Sequence, residues 1–407
     1  MRSGALPNGR RLRAMGFSLV ELMVATAIGL VVALAVTGSV LTLGRQFSVV
    51  GATVAAQGSA QVALTLIDGS ARSAGAGFYN NGARICPTWN AWNGSALMSD
   101  GGVWMPARIV GGGSNTASDR VIFTGATGSK PLSAAPVLAA AVGASINVSN
   151  AGGWAAGDYA VIGAPGSAQP CTLLQVTQAP AIVSSCGGNA PSCLLLVRTP
   201  NNGLNPLPTT FTDQPTFGFS SAGSVIGPAV VSRVGSIASG FRQDAFAVQC
   251  NALVRYNAFA TATLPACTAS PLSFGTGVDA IATDIVLLQA QYGVSDTAAS
   301  DIVTAWVEPS GATWGGTPSA DDVSRIKALR IVLVARSREP DGAQVTAASC
   351  TNDAGVVNTG PCSFQDAAAP VIDLSATTVP AGRTWRNYRY RVHKAVIPLR
   401  TVIWSAS

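Results

Sequence analysis

Charge and titratable chemistry are scarce in this chain. Among its 407 residues there is one histidine, His393, and three lysines, Lys130, Lys327 and Lys394; charged side chains make up 11% of the total, under half the usual share. A single histidine leaves a Ser-His-Asp site almost no material, and no serine lies in a G-x-S-x-G context. Cysteines fall at 86, 171, 186, 193, 250, 267, 350 and 362 with no C-x-x-C, so a zinc site would lack both imidazole and close thiolate pairs. Disulfides account better for an even set of eight and place the body in an oxidising compartment. No cofactor or metal site is expected. A 48% hydrophobic content excludes disorder, while 44 Gly and 23 Pro point to many turns and a β-rich body rather than a bundle.

The formal charge of +6 suggests an acidic partner, but Arg2, Arg10, Arg11 and Arg13 lie in the first sixteen residues, which hold no acid. Without those four, 21 basic side chains face 19 acidic ones, a net of +2, and bulk charge no longer argues for nucleic acid. From Leu22 to Leu43 the chain carries 22 residues without a charge. As a helix they span roughly 33 Å, enough to cross a bilayer core. A secretory signal has a shorter apolar run followed by its cleavage site; here the cut-like Gly16 comes before the run. The positive-inside rule keeps the arginines cytoplasmic and the body outside. Glu21 is the anomaly, since a carboxylate in hydrocarbon costs a few kcal/mol and is retained for a partner. Cleavage after Gly16 would create an α-amino group on Phe17 to serve as one.

The stretch Gly16-Phe17-Ser18-Leu19-Val20-Glu21, behind a basic leader and ahead of an apolar helix, resembles the class III signal of type IV prepilins. That resemblance implies cleavage by a prepilin peptidase between Gly16 and Phe17, N-methylation of Phe17, and a role for Glu21 in packing subunits into a filament. Many pilins carry a helix-loosening proline where this chain has Gly38; Gly29, Gly38 and Gly44 are the expected substitutes. Ala71-Arg72-Ser73-Ala74-Gly75 followed by Cys86, the segment Val278–Gly293, the segment Val323–Ser337 and the closing Tyr390–Arg400 look like PilW-type minor pilins. The resemblance covers the first 80 residues and about 278–400; residues 85–275 resemble nothing identifiable.

The expected fold is α+β: a long N-terminal helix packed on an antiparallel, disulfide-stapled β-rich head. The expected divisions are a leader (1–16), a membrane or filament-core helix (17–44), an amphipathic second half (45–75), an unassigned β-rich region (76–277) and a PilW-like region (278–407). Phe47, Val50, Val54, Gly58, Val62 and Leu66 recur at helical spacing and should face the body, with the helix stopping near Gly75-Ala76-Gly77. Strands are expected at 120–124, 158–162, 171–177, 193–198, 244–257, 285–292, 329–336 and 388–399. Eight cysteines allow roughly a hundred connectivities. Nearest-neighbour pairing gives Cys186–Cys193, Cys250–Cys267 and Cys350–Cys362, leaving Cys86–Cys171, with short loops slightly favoured on entropy.

Four motifs read more plainly as structure than as sites. Ser324-x-x-Lys327 has the spacing of acylating serine enzymes but no partner motif, and reads as a polar lead-in to a strand. Gly75-x-Gly77 lacks a third glycine and reads as a helix stop. Asp296 to Asp301 lacks the alternating acids of a calcium loop and reads as a hairpin loop. Between Arg383 and Lys394 cations alternate with aromatics, as on a single-strand DNA platform. Alternation alone explains it, with Tyr388, Tyr390 and Val392 inward and Arg389, Arg391 and His393 outward.

The expected function is assembly rather than catalysis: a minor pilin that initiates type IV pilus growth in a tip complex, supporting twitching motility and adhesion. Its partners would be other minor pilins, the major pilin, the prepilin peptidase, the inner-membrane assembly machinery and a large tip adhesin. It would sit single-pass in the inner membrane with a periplasmic head, then in the surface pilus. The alternatives are a type II secretion pseudopilin, a membrane-anchored periplasmic enzyme, or a DNA-uptake pilin. A pocket of convergent titratable groups in residues 85–275 would favour the enzyme.

Overall fold

The computed structural model describes residues 18–80, 83–126, 134–138, 144–149, 153–184, 193–207, 209–212, 229–235, 240–261, 263–269 and 271–404. The chain divides into two units, Met1–Val54 and Ala55–Ser407. Within the first, Leu19–Val40 is a helix long and apolar enough to cross a membrane. Leu22, Met23, Val24, Ile28, Leu30 and Val31 are all exposed, so the helix is apolar on every side and has no aqueous face. Helix is continuous from Leu19 to Ser73, Gly29, Gly38 and Gly44 included.

The second unit is β-rich. A five-stranded antiparallel sheet runs in the order Val278–Thr283, Ala252–Asn257, Phe241–Gln249, Arg120–Ala126, Ala107–Val110. A four-stranded antiparallel sheet runs Ala305–Val307, Ile285–Val294, Ile326–Arg336, Tyr390–Pro398. A six-stranded sheet holds Leu97–Val103, Thr88–Trp92, Cys171–Gln175, Tyr159–Gly163, Val230–Gly235 and Ala135–Pro136. Its pairing of Cys171 with Trp89 is parallel, against the antiparallel expectation. The disulfide between Cys86 and Cys171 ties the two segments at their entries, so both leave it in the same direction. Cys250 is bonded to Cys267 and Cys350 to Cys362. Cys193 begins the strand Cys193–Val197, while Cys186 lies outside the described residues.

Residues 244–257 form a hairpin and not one strand. Cys250 and Asn251 take φ of 45° and 57°, the left-handed pair that a tight two-residue turn requires. Periodicity missed the turn because apolar alternation continues on both sides of it, from Ala245 to Val254.

The helical face turned to the sheets also differs from the expected one. Ala60, Ala63, Ile67, Ala71 and Ala74 are buried in one cluster with Ile109, Phe123, Phe246, Leu288 and Leu329, whereas Val62 and Leu66 are 56% and 39% exposed. Alanine lets the helix axis come close to the sheet, and the aromatic residues opposite supply the volume; Val62 and Leu66 one position away would hold it off. Burial of Ile67 alone is worth about 1.5–3 kcal/mol. A polar clamp fixes the same contact: Ser70 Oγ donates to Asp244 Oδ2 at 3.0 Å, and Arg255 Nη2 donates to both Asp244 oxygens at 2.9 Å.

The helix stops at Ser73, and Gly75 at φ +90° turns the chain so that its N–H donates to the Thr124 carbonyl at 2.8 Å. Gly125 sits against this turn, where a Cβ would collide with the Ser73 carbonyl.

The two antiparallel sheets are joined through Asp119. Its Oδ1 accepts from Gly112 N at 3.0 Å and its Oδ2 from Ala290 N at 2.8 Å, at 4% exposure. Burial pushes this carboxyl up to about 6 despite those two donors. Because the folded chain holds the proton more tightly than the unfolded one, whose carboxyl ionises near 3.8, stability falls as pH rises from about 4 to about 6. The expected difference in unfolding free energy between wild type and Asp119→Asn therefore shrinks by up to about 3 kcal/mol over that window, read from urea midpoints at pH 4 and pH 7. Parallel pH profiles for the two proteins would contradict this.

In the four-stranded sheet Arg330 is 1% exposed. Its Nη1 donates to Asp366 Oδ2 at 2.8 Å, its Nε to Gln291 Oε1 and its Nη2 to the Ala368 carbonyl, and the guanidinium lies 4.8 Å from the Trp306 ring and 5.0 Å from that of Phe364.

Candidate functional site at the acid end of the apolar helix

Gly16 and Phe17 lie outside the described residues; Glu21 is described and sits in the first turn of the helix. Glu21 N donates to Ser18 Oγ at 3.1 Å, and Ser18 N donates to Glu21 Oε2 at 3.3 Å. These reciprocal bonds are a capping box, in which the serine and the acid each satisfy a backbone donor that the helix start leaves unpaired. The signal for it, Ser18-x-x-Glu21, stands in the sequence, but an acid read only as lacking a counter-ion hides its local partner. A negative side chain in the first turn also suits the positive end of the helix dipole. Glu21 is thus held at the one place where an apolar helix accommodates an acid, with its carboxylate exposed.

Ser324 lies in the last turn of the short helix Ala320–Arg325 and donates to the Ala320 carbonyl at 2.9 Å. Lys327 is no polar lead-in: it lies in the strand Ile326–Arg336 at 1% exposure, its Nζ donating to the Ala298 carbonyl at 2.8 Å and lying 3.9 Å from Asp301. Burial lowers its pKa, but serine and lysine each spend a proton on a separate carbonyl and form no relay with each other. Asp296 accepts from Thr304 Oγ1 at 2.7 Å, so the two acids of that loop serve different neighbours.

Along the closing strand Tyr388 is buried, with the Arg336 guanidinium 4.5 Å from its ring, while Arg389 and Arg391 are exposed and Arg389 pairs with Asp341 at 3.0 Å. Arg389 and Arg391 therefore lie exposed while the Tyr388 ring is turned inward onto Arg336, so these residues do not present an open stacking surface beside their charges. His393 departs from the expected alternation. It is half-buried, with Nε2 enclosed and unpartnered, and burial and Arg391 together lower its pKa.

Of the comparisons with known proteins, no curated protein and no solved structure matches the chain. Residues 269–401 match the family model described as Type IV Pilus-assembly protein W, a span that contains Arg330 with its sheet and the closing strand; over that span this chain is similar to type IV pilus assembly proteins.

Proposed function

We propose that this chain is a minor pilin, anchored in the inner membrane by its apolar helix until it enters a pilus. The observation that carries the reading is a pilus-assembly match at 269–401 in the same chain as a lone acid at the head of an apolar helix. In this reading residues 1–16 are a leader removed by a prepilin peptidase, Phe17 is N-methylated, and the Glu21 carboxylate meets the new Phe17 amine of a neighbouring subunit. The helix to residue 44 forms the filament core, its continuation to 75 supports the head, and 278–407 is the PilW-like region. The chain joins other minor pilins and the major pilin near the tip, through the inner-membrane machinery, and carries an adhesin.

The capping box supplies a sharp test. Glutamine also closes a capping box, so Glu21→Gln keeps the helix start and removes only the charge. Glu21→Gln is expected to be cleaved and methylated normally yet to leave the cells without surface pili, whereas Gly16→Ala retains the leader by mass spectrometry. Wild-type piliation in both variants would refute the assignment.

A further inference from the structure

The five-stranded sheet has a second face. Ile109, Val121 and Phe123 point to the helix, so by alternation Arg108, Arg120, Ile122 and Thr124 point away, beside Gln243 and Tyr256 on the neighbouring strands. Together with Trp89, Met98 and residues 316–318, that outer face lines a cleft of about 430 Å³.

Its charge is unbalanced. Two shielded arginines elsewhere meet an aspartate, Arg233 binding Asp158 at 2.6 Å and Arg330 binding Asp366 at 2.8 Å, while the buried Arg336 lies 4.5 Å from the Tyr388 ring and donates to the Thr378 carbonyl at 3.1 Å. In the cleft, neither Arg108 nor Arg120 forms an ion pair among the described residues. Arg120 Nη1 donates to the Tyr256 hydroxyl at 3.0 Å, and its Nε is enclosed with no acceptor. Among the described residues the one acid in the lining, Asp100, is already engaged, accepting from Thr212 N at 3.0 Å and Thr212 Oγ1 at 2.6 Å. A half-buried guanidinium without an anion is costly, and its planar fork matches a carboxylate. The volume is that of a small-molecule site, and Trp89, Met98 and Ile122 add an apolar wall. Among the described residues the lining offers one acid, already hydrogen-bonded to Thr212, and two guanidinia, a set suited to holding an anion.

We propose that this cleft binds a small carboxylate, with the charge met by Arg108 and Arg120 and the body of the ligand laid against Trp89, Met98 and Ile122. Carboxylate binding here neither requires nor excludes a place in a pilus.

Titration calorimetry of the full chain in detergent micelles tests it, with N-acetylphenylalanine and glucuronate as two carboxylate probes that separate a peptide-like from a sugar-like source. N-acetylphenylalanine amide and inorganic phosphate serve as controls. Saturable binding of at least one carboxylate is expected, with none of the amide. Arg120→Gln and, separately, Arg108→Gln are expected to weaken it by about tenfold or more, the scale of a hydrogen bond to a charged group. Arg108 is exposed, so its variant tests the site even if Arg120→Gln fails to fold. No saturation by either carboxylate, equal binding of the amide, tighter binding of phosphate, or wild-type affinity in Arg108→Gln would each overturn the proposal.

Discussion

Replacing Cys86 and Cys171 together by alanine is expected to cost about 4–5 kcal/mol of stability, more than the loss of either other described disulfide. The reason lies in the unfolded chain. The bond closes a separation of 85 residues, against 17 for Cys250–Cys267 and 12 for Cys350–Cys362, and the entropy removed from the unfolded ensemble grows with the logarithm of loop length. On that scale the two shorter loops are worth about 3 kcal/mol each. Native-state packing acts in the same direction: Cys86 and Cys171 are 1% and 0% exposed and pack with Trp89 and Leu173, beside the only parallel pairing among the described strands. Urea midpoints of the 86/171 and 350/362 double-alanine variants, in the same detergent, provide the comparison. An equal or smaller loss for 86/171 would show that the unfolded chain does not behave as this loop argument requires.

Arg330→Ala is expected to cost about 3–5 kcal/mol, more than any substitution at Asp366. Removing the guanidinium leaves Gln291 Oε1 without its donor at about 1–3 kcal/mol, takes one of two donors from the Ala368 carbonyl, which keeps Gln291 Nε2 at 2.8 Å, and leaves a hole between Trp306 and Phe364. Lysine fills some of the space but offers no planar fork, so Arg330→Lys should recover only part of the loss. Asp366 is 47% exposed, and its pairing is correspondingly screened; Asp366→Asn should cost about 1 kcal/mol or less. Thermal melts of the three variants rank them. A loss at Asp366 equal to that at Arg330 would mean that the ion pair, and not the buried donor set, holds the loop around residues 366–368.

The span matched to pilus-assembly proteins is where periodicity reads most clearly: Ile285–Val294 and Ile326–Arg336 are long and apolar, as central strands of a sheet buried on both faces must be. The strands missed from sequence, among them Thr88–Trp92, Leu97–Val103 and Ala107–Val110, are shorter, the first holding Asn90, the second Gly101 and Gly102, and the third only four residues long, so their alternation never extends over enough residues to register.

Composition and local pattern alone determined the apolar helix near the N-terminus, its isolated acid, its stop before Gly75 and the β-rich character of the chain beyond it. Each is a property of neighbours in the chain: a bilayer-length run, a serine three residues before a glutamate, a glycine free to take positive φ. Tertiary structure alone decided which helical face is buried, that Lys327 and Arg330 are interior cations, and that Arg108, Arg120 and Tyr256 line one cleft. Those outcomes depend on what volume and charge arrive from segments 29 to 174 residues away, and nothing in a local window encodes the other side of a contact.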